Sequence, residues 1–255
     1  MLFGMDPHMF VAEVYRRMSL RNVNTKYPPP ARQRIDQVAE EYRHFLPGNK
    51  DAAILDIGFG DGCFMAACLQ LGYTTISGAD FAPENKPYLR EWNVTLHRIE
   101  SEIGEFLAKH PDEYDFIHLS HVIEHIPKYS LLWIVDALYQ ALKKDGTLFL
   151  RTPNMEGPCA NSCYYVTLAH EYGFSGSNLR SLLFNCGFDD IRPHAPSSPK
   201  RLRQQFGALL RWPFIQESRI RHRLFGVNVG GHFGSELIVT GRRGDFPPFF
   251  DEKYR

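Results

Sequence analysis

Three groups of residues have the types and spacing to do chemistry. In Ile54-Leu-Asp-Ile-Gly-Phe-Gly-Asp-Gly62, the residues Gly58, Phe59, Gly60 and Gly62 follow a short apolar run that contains Asp56. Glycines at this density let a backbone turn tightly beneath a ligand. An acid at position 56 repels a pyrophosphate and attracts a cationic, amino-bearing group. Further on, Ser77-Gly-Ala-Asp80 ends a second short run in an acid placed to hydrogen-bond ribose hydroxyls, with Phe81 next to it. The third group is Ser120, His121, Glu124 and His125, joined later in the chain by His170. Imidazoles titrate near neutrality, so these histidines could take the proton of an alcohol.

Acid, glycines, helix, strand and second acid fit S-adenosylmethionine (SAM), with S-adenosylhomocysteine as its product, better than a nicotinamide dinucleotide. The dinucleotide fingerprint is G-x-G-x-x-G. Here the run is G-x-G-x-G, and Cys63 stands three residues after Gly60. An NAD(P)-dependent oxidoreductase is the lesser alternative, and a simple strand-to-helix turn is the plainest one.

Strands and helices alternate around these residues. The pattern predicts a helix over Ala31 to Phe45, a strand over Ile54–Ile57 and a helix over Cys63 to Leu71. It predicts strands at Thr75 to Ala79, Val94 to His97, Phe116 to Leu119 and Thr147 to Arg151. Helices are expected at Glu84 to Glu91, Ile103 to Lys109 and Leu131 to Leu142, with Gly146 well placed to terminate the last of these. A helix over Asn178 to Asn185 and strands at Phe188 to Arg192 and Glu236 to Thr240 complete the order. Such a rhythm implies an α/β, doubly wound, mostly parallel sheet. Its ligand belongs at the carboxyl ends of the strands, where both acids and the glycines fall.

Charge is balanced, 29 basic against 29 acidic residues, so no global field favours nucleic acid, and none is expected as a partner. No apolar run approaches the ~18 residues of a spanning helix. The five cysteines lack paired zinc-type spacing, which reads as reduced thiols in a cytoplasmic protein. Residues 1–30 form an arm, either a lid over the ligand or a loose tail. Residues 31–242 form the main domain, and 243–255 a tail. Within the domain, 193–231 is a basic insertion whose stretch 200–225 suits a helix with an apolar and a basic stripe. That helix could rest on an anionic membrane at its inner face, cap the acceptor pocket or make a homodimer contact.

These segments resemble class I SAM-dependent methyltransferases from about Tyr42 to Arg242. Leu55-Asp-Ile-Gly-Phe-Gly-Asp-Gly62 resembles the family's first motif and Gly78-Ala-Asp-Phe81 its second. Tyr114-Asp-Phe-Ile-His-Leu-Ser-His-Val-Ile-Glu-His-Ile-Pro127 resembles the fourth-strand motif, and Leu142-Lys-Lys-Asp-Gly-Thr-Leu-Phe-Leu150 the segment leading into strand five. Thr152-Pro-Asn154, His170-Glu-Tyr-Gly-Phe-Ser175, Leu179-Arg-Ser-Leu-Leu and Cys186-Gly-Phe188 narrow the likeness. They resemble a bacterial subgroup linked with surface-polysaccharide synthesis, itself similar to ubiquinone-pathway O-methyltransferases.

The resemblance implies a seven-stranded sheet with one antiparallel strand, placed here at Glu236 to Thr240. It also implies methyl transfer to a hydroxyl of a glycan or small metabolite. Asp56, Gly58, Phe59, Gly60, Gly62, Asp80, Phe81, Ser120, His121 and either Glu100 or Ser101 would then contact the cofactor. The base would be His121, His125 or His170. A catalytically silent binding module of the same fold is the competing class. Some similar O-methyltransferases hold a divalent ion through Glu-x-x-Glu-His and a later histidine. Here His121 replaces the first glutamate, which puts magnesium in doubt, and no metal is assigned.

Overall fold

The computed structural model describes residues 28–157, 160–194, 210, 212–217, 219–220, 224 and 234–245. Helix α1 (Arg32–Tyr42) leads into β1 (Ile54–Ile57). The chain then runs through α2 (Cys63–Gln70), β2 (Ile76–Asp80), β3 (Thr95–Arg98), α3 (Ile103–Leu107), β4 (Tyr114–Ser120), α4 (Leu131–Ala141) and β5 (Leu142–Pro153). After α5 (Ala160–Tyr164) and α6 (Gly176–Asn185) come β6 (Phe188–His194) and β7 (Glu236–Arg243). Seven strands form one sheet in the order β3-β2-β1-β4-β5-β7-β6. β7 is antiparallel to β5 and β6, and the other pairs are parallel. The expected architecture, including the placing of its antiparallel strand, is therefore the observed one. The arm before residue 28, most of the basic insertion and the tail after residue 245 lie outside the described residues.

The period-2 geometry of strands explains how the sheet carries helices on both faces. Leu55, Ile57, Ile117, Leu119, Leu148, Leu150, Leu237 and Val239 enter one core with α3, α4 and α6. Ile54, Phe116, Phe149 and Ile238, one step out of phase, enter a second core with Tyr42 of α1 and Phe64, Met65 and Cys68 of α2. A strand buried on both sides must be apolar at nearly every position. Asp56 and His118 break that rule on the α1–α2 face, directly opposite each other in the β1–β4 register.

Two local expectations are corrected. Glu84 to Glu91 is not an α-helix but two 3-10 turns, Pro83–Asn85 and Pro87–Glu91. Pro87 cannot donate an amide and disfavours helical backbone at Lys86, which is non-helical at φ −127° and ψ 69°, so the two turns are broken at that point. The second correction concerns α4, which ends at Ala141, because Leu142 is already extended and pairs with Tyr114. The left-handed residue beyond it is Asp145 at φ +65°, not Gly146. Gly146 matters for space instead, since a Cβ there would lie 2.8 Å from the Lys143 carbonyl oxygen.

The turn between β1 and α2 is the tightest part of the fold. Gly58, Gly60 and Gly62 have φ of +67°, +55° and +73°. A Cβ on Gly58 would meet Val122 Cγ2 at 2.6 Å, and one on Gly62 would meet Leu89 Cδ2 at 2.7 Å. We predict that Gly62→Ala lowers stability by about 1–3 kcal/mol, the cost of a left-handed non-glycine residue. Urea unfolding of the variant beside the parent checks this, and an unchanged midpoint would contradict it.

Candidate functional site

The glycine turn sits at the carboxyl edge of β1, with the ends of β2 and β4 on either side. Its first amide, Gly58 N–H, donates to Ala79 O at 2.8 Å, which ties the turn to β2. Gly60 is exposed, and a Cβ there would meet nothing within 4 Å. The backbone is therefore open to a ligand at its middle glycine, while Gly58 and Gly62 are hemmed in by side chains below. Phe59, between them, is buried in the α1–α2 core.

Asp56 lies beneath this loop. It is 2% exposed, and its Oδ1 accepts from His118 Nδ1 at 2.7 Å. The other imidazole nitrogen, Nε2, accepts from the Tyr42 hydroxyl at 3.1 Å. Burial pushes the Asp56 carboxyl up, and the His118 partner opposes that rise. Asp56 therefore acts on the loop from beneath, through His118, in the structure as it stands. One of its oxygens is committed to His118 and the other is buried without a hydrogen-bond partner.

At the end of β2, Asp80 Oδ1 accepts from Ala82 N–H at 2.9 Å, and Oδ2 faces Lys86 Nζ at 3.4 Å. The same ammonium stands 4.9 Å from the Phe59 ring centre. Lys86 is thus an internal counter-ion for the candidate ribose acid, and a diol bound there must share Asp80 with it. Phe81 is exposed beside it. After β3, Glu100 is exposed and pairs with Arg98, while the Ser101 hydroxyl is bonded to Glu105. The two remain candidates, and the backbone near them is tied in by Ile99 N–H, which donates to Asp80 O.

The histidine group gathers at the end of β4. Ser120 is half-buried at the end of the strand. His121 has φ +57° and sits between two carboxylates, with Nδ1 3.2 Å from Glu124 and Nε2 3.2 Å from Glu236. These bonds raise its pKa to about 9, so it is an imidazolium at neutral pH. So held, His121 is a hydrogen-bond donor at neutral pH, and His125 and His170 stand beside it as the other candidates for the base. No α-helix follows it; only the 3-10 turn Ile123–His125 does. His125 Nδ1 donates to Ala169 O at 2.8 Å, while burial lowers its pKa. His170 Nδ1 donates to Tyr164 O at 2.8 Å, and the His125 and His170 rings are 4.8 Å apart. The structure therefore brings His125 and His170 together, and His121 is bonded to Glu124.

Arg151 and Glu236 complete the edge. Arg151 is bonded to Glu41 of α1, lies 3.7 Å from Glu236 and stacks 5.4 Å from the Tyr42 ring. Sequence reasoning missed His118, Tyr42, Lys86, Arg151 and Glu236. Only His118 left a readable signal, as a polar residue at an inward position of an apolar strand. Asp115, by contrast, takes a structural role by accepting from Ala53 N–H and Lys143 Nζ, each at 2.7 Å.

The residues fit the cofactor that the glycine run implies: a clear backbone cradle at Gly60, an acid at the end of β2 and a polar cluster across the loop. They also offer an ion three donors, since Glu124, His125 and His170 bring ligand-type atoms within 4.8 Å of one another.

Comparison with known proteins agrees with this geometry. A family model described as a methyltransferase domain matches residues 31–193. The Ubiquinone biosynthesis O-methyltransferase of Salmonella paratyphi A is 31% identical over 108 residues, which is 41% of this chain and 43% of that protein. The protein of the same name from Klebsiella pneumoniae (strain 342) is 28% identical over the same length. The chain spans less than half the length of the curated relatives it matches. Among solved structures, a SAM dependent methyltransferase from Archaeoglobus fulgidus aligns with a TM-score of 0.59 at 18% identity, covering 88% of this chain and 99% of that one. The 1,6-didemethyltoxoflavin-N1-methyltransferase of Burkholderia thailandensis aligns with a TM-score of 0.60 at 17% identity, covering 95% and 92%. These two likenesses speak for the fold.

The His121 clamp makes a pH prediction. Its folded pKa of about 9 lies above the ordinary 6.5, so the stability it lends is full below pH 6.5 and is lost as pH rises through 9. The side chain is 46% exposed, so solvent screening keeps the effect small. Melting temperature should fall between pH 7 and 9.5 in the parent and fall less in Glu236→Gln. Equal slopes in both would count against the clamp.

Proposed function

Because the chain belongs to the methyltransferase domain family, we propose that it moves the methyl group of SAM to a hydroxyl oxygen of a small-molecule or glycan acceptor. The observation that carries this reading is the open glycine cradle flanked by Asp80 on one side and the His125–His170 pair on the other. When bound, SAM supplies an electrophilic methyl group, and the protein's part is alignment, exclusion of water and handling of one proton.

In this reading the amides of the Gly58–Gly62 turn hold the amino-acid end of the cofactor from above Asp56. Asp80 takes the ribose hydroxyls, with Lys86 beside it, and Phe81 covers the adenine near Glu100 and Ser101. Ser120 and His121 close the cofactor side at the end of β4. His125 and His170 face the acceptor. Each has Nδ1 committed to a backbone carbonyl, so each presents Nε2 as a proton acceptor, and either is suited to be the base. The O-methyltransferase activity named for the curated relatives supports an oxygen acceptor, and so does a histidine pair suited to deprotonating an alcohol. The arm before residue 31 is read as a lid and the tail after 242 as an appendage.

No helix among the described residues is long and apolar enough to cross a membrane. Within the stretch 200–225, Leu210, Trp212, Phe214, Ile220 and Leu224 are exposed, and residues 192–223 carry eight Lys or Arg against Glu217 alone. That combination supports peripheral contact of a cytoplasmic protein with an anionic membrane, where a lipid-linked acceptor would be presented. A homodimer contact through the same stretch is the alternative reading of it.

Calorimetric titration with S-adenosylhomocysteine tests the cofactor reading. The parent should bind, and Asp80→Ala should bind about 10- to 100-fold more weakly, the worth of hydrogen bonds to a charged group. No binding by the parent would overturn the reading. Given an acceptor, His125→Gln or His170→Gln should lower kcat by about 10²–10⁴-fold, as expected for loss of a general base. If both variants retained full kcat while the parent turned over, the proposed base would be wrong. If the parent bound cofactor but methylated none of a broad panel of hydroxyl acceptors, the silent binding module would take its place.

A further inference from the structure

Resting on the cofactor reading of Asp80, we infer that Lys86 determines the sugar specificity of the cofactor site. It donates to a hydroxyl of the ribose while Asp80 accepts from one, so that the two side chains read the vicinal diol together. Lys86 is the only buried lysine or arginine among the described residues. Its ammonium stands 3.4 Å from Asp80 Oδ2 and 4.9 Å from the centre of the Phe59 ring. Taking such a charge out of water is costly unless it is paired and hydrogen-bonded.

That pairing is incomplete. An ammonium has three N–H donors. A lysine serving only as counter-ion closes to about 2.8 Å on its carboxylate, and the contact here is longer. Phe59 covers a second side of the ammonium as a cation–π partner. No other acceptor is paired with Lys86 Nζ among the described residues, so donors are left for a ligand. Asp80 has spare capacity as well. Its Oδ1 accepts from Ala82 N–H at 2.9 Å, its Oδ2 holds the long contact to Lys86, and its side chain is 17% exposed.

The glycine turn itself sets Lys86 in this place. Pro87 disfavours helical backbone at Lys86, and the chain there is held by Lys86 N–H donating to Pro83 O at 3.3 Å and Leu89 N–H donating to Lys86 O at 3.1 Å. Two contacts fasten the same segment to the turn. The Tyr88 hydroxyl donates to Asp61 O at 2.9 Å, and the fully buried Leu89 fills the space below Gly62. Phe59, under the ammonium, precedes the exposed Gly60. Donor, acceptor and open backbone therefore belong to one edge.

Hydrogen-bond polarity then selects the ligand. A carboxylate only accepts and an ammonium only donates, whereas each hydroxyl of a diol does both. One O–H on Asp80 and one hydroxyl oxygen on Lys86 give both charged groups a partner. A deoxy sugar leaves one of them short, which is the source of discrimination. The flexible lysine stem lets the ammonium shift as the sugar enters.

The test titrates the full chain by calorimetry with S-adenosylhomocysteine and with its 2′-deoxyribose and 3′-deoxyribose analogues. The parent, Lys86→Met and Lys86→Gln are compared, with folding checked by melting temperature. The parent should bind the analogues at least about 10-fold more weakly than S-adenosylhomocysteine. In Lys86→Met that penalty should shrink at least about fivefold for one of the two hydroxyls, because the donor it served is gone. Lys86→Gln should change it in the same direction, and it carries the comparison if Lys86→Met does not fold. All three ligands weakened by one common factor would mean that Lys86 only props the loop, and would overturn its role in specificity. Equal binding of all three by the parent would do the same. So would tighter binding of S-adenosylhomocysteine by Lys86→Met, since Lys86 would then be occupying the place of the ribose. No binding of S-adenosylhomocysteine by the parent would sink the cofactor reading itself and this role with it, a result distinct from the other three.

Discussion

The close approach of the β1–α2 turn to its neighbours is the constraint on which the rest depends. Three glycines in left-handed conformation let the chain reverse within five residues, and the space below two of them is already filled by Val122 and Leu89. Gly78 plays the same part on β2, where a Cβ would lie 2.6 Å from Met65 Sδ and 2.8 Å from Phe59. Only glycine tolerates the proximity at all three positions, and at Gly58 and Gly62 the backbone sign as well. With the turn pressed down in this way, its middle residue is left open to a ligand, and the acid of β2 and the cluster after β4 are brought to its two sides.

Beneath the turn, a polar chain crosses a layer that is otherwise apolar. Tyr42, His118 and Asp56 link α1, β4 and β1 by hydrogen bonds, and His118 stacks on Phe64 with 3.9 Å between ring centres. Burying polar groups is costly unless they are paired. This chain satisfies most of its members and leaves one Asp56 oxygen without a partner. The arrangement holds α1 against the strands that carry the candidate site. Above it runs a chain of alternating charge, from Glu41 through Arg151, Glu236 and His121 to Glu124. It joins the first helix to the histidine pair along the carboxyl edge of the sheet. The carboxyl edge of the sheet is thus one electrostatic structure.

Much of the fold could be read from the sequence because its signals are local. The apolar runs at Ile54 and Phe116, the glycines between β1 and α2 and the apolar stripe of α4 each carry their own evidence, and the observed strands extend the expected ones by a few residues at most in six of seven cases. β5 is the exception, since it starts at Leu142, where the sequence suggested the end of a helix. Pairing with Tyr114 settles that boundary, and pairing is not a local property. The segment from Glu84 to Glu91 looked helical by composition, but Pro87 breaks it into two turns. The acids and glycines of the site were legible for the same reason as the strands: they occupy one short stretch each.

The sequence by itself determined the class of fold and the residue types available at the carboxyl edge of the sheet. Periodicity, glycine spacing and the position of acids at strand ends are written along the chain and need no distant partner. Tertiary structure alone decided what each group does. It put His118 under Asp56 across 62 residues and Lys86 on Asp80. It brought Glu236 to His121 across 115 residues, which makes His121 a hydrogen-bond donor at neutral pH. It also set His125 beside His170. Protonation and ligand capacity depend on burial and on neighbours within a few ångströms, and those neighbours are chosen by the packing of the sheet and its helices.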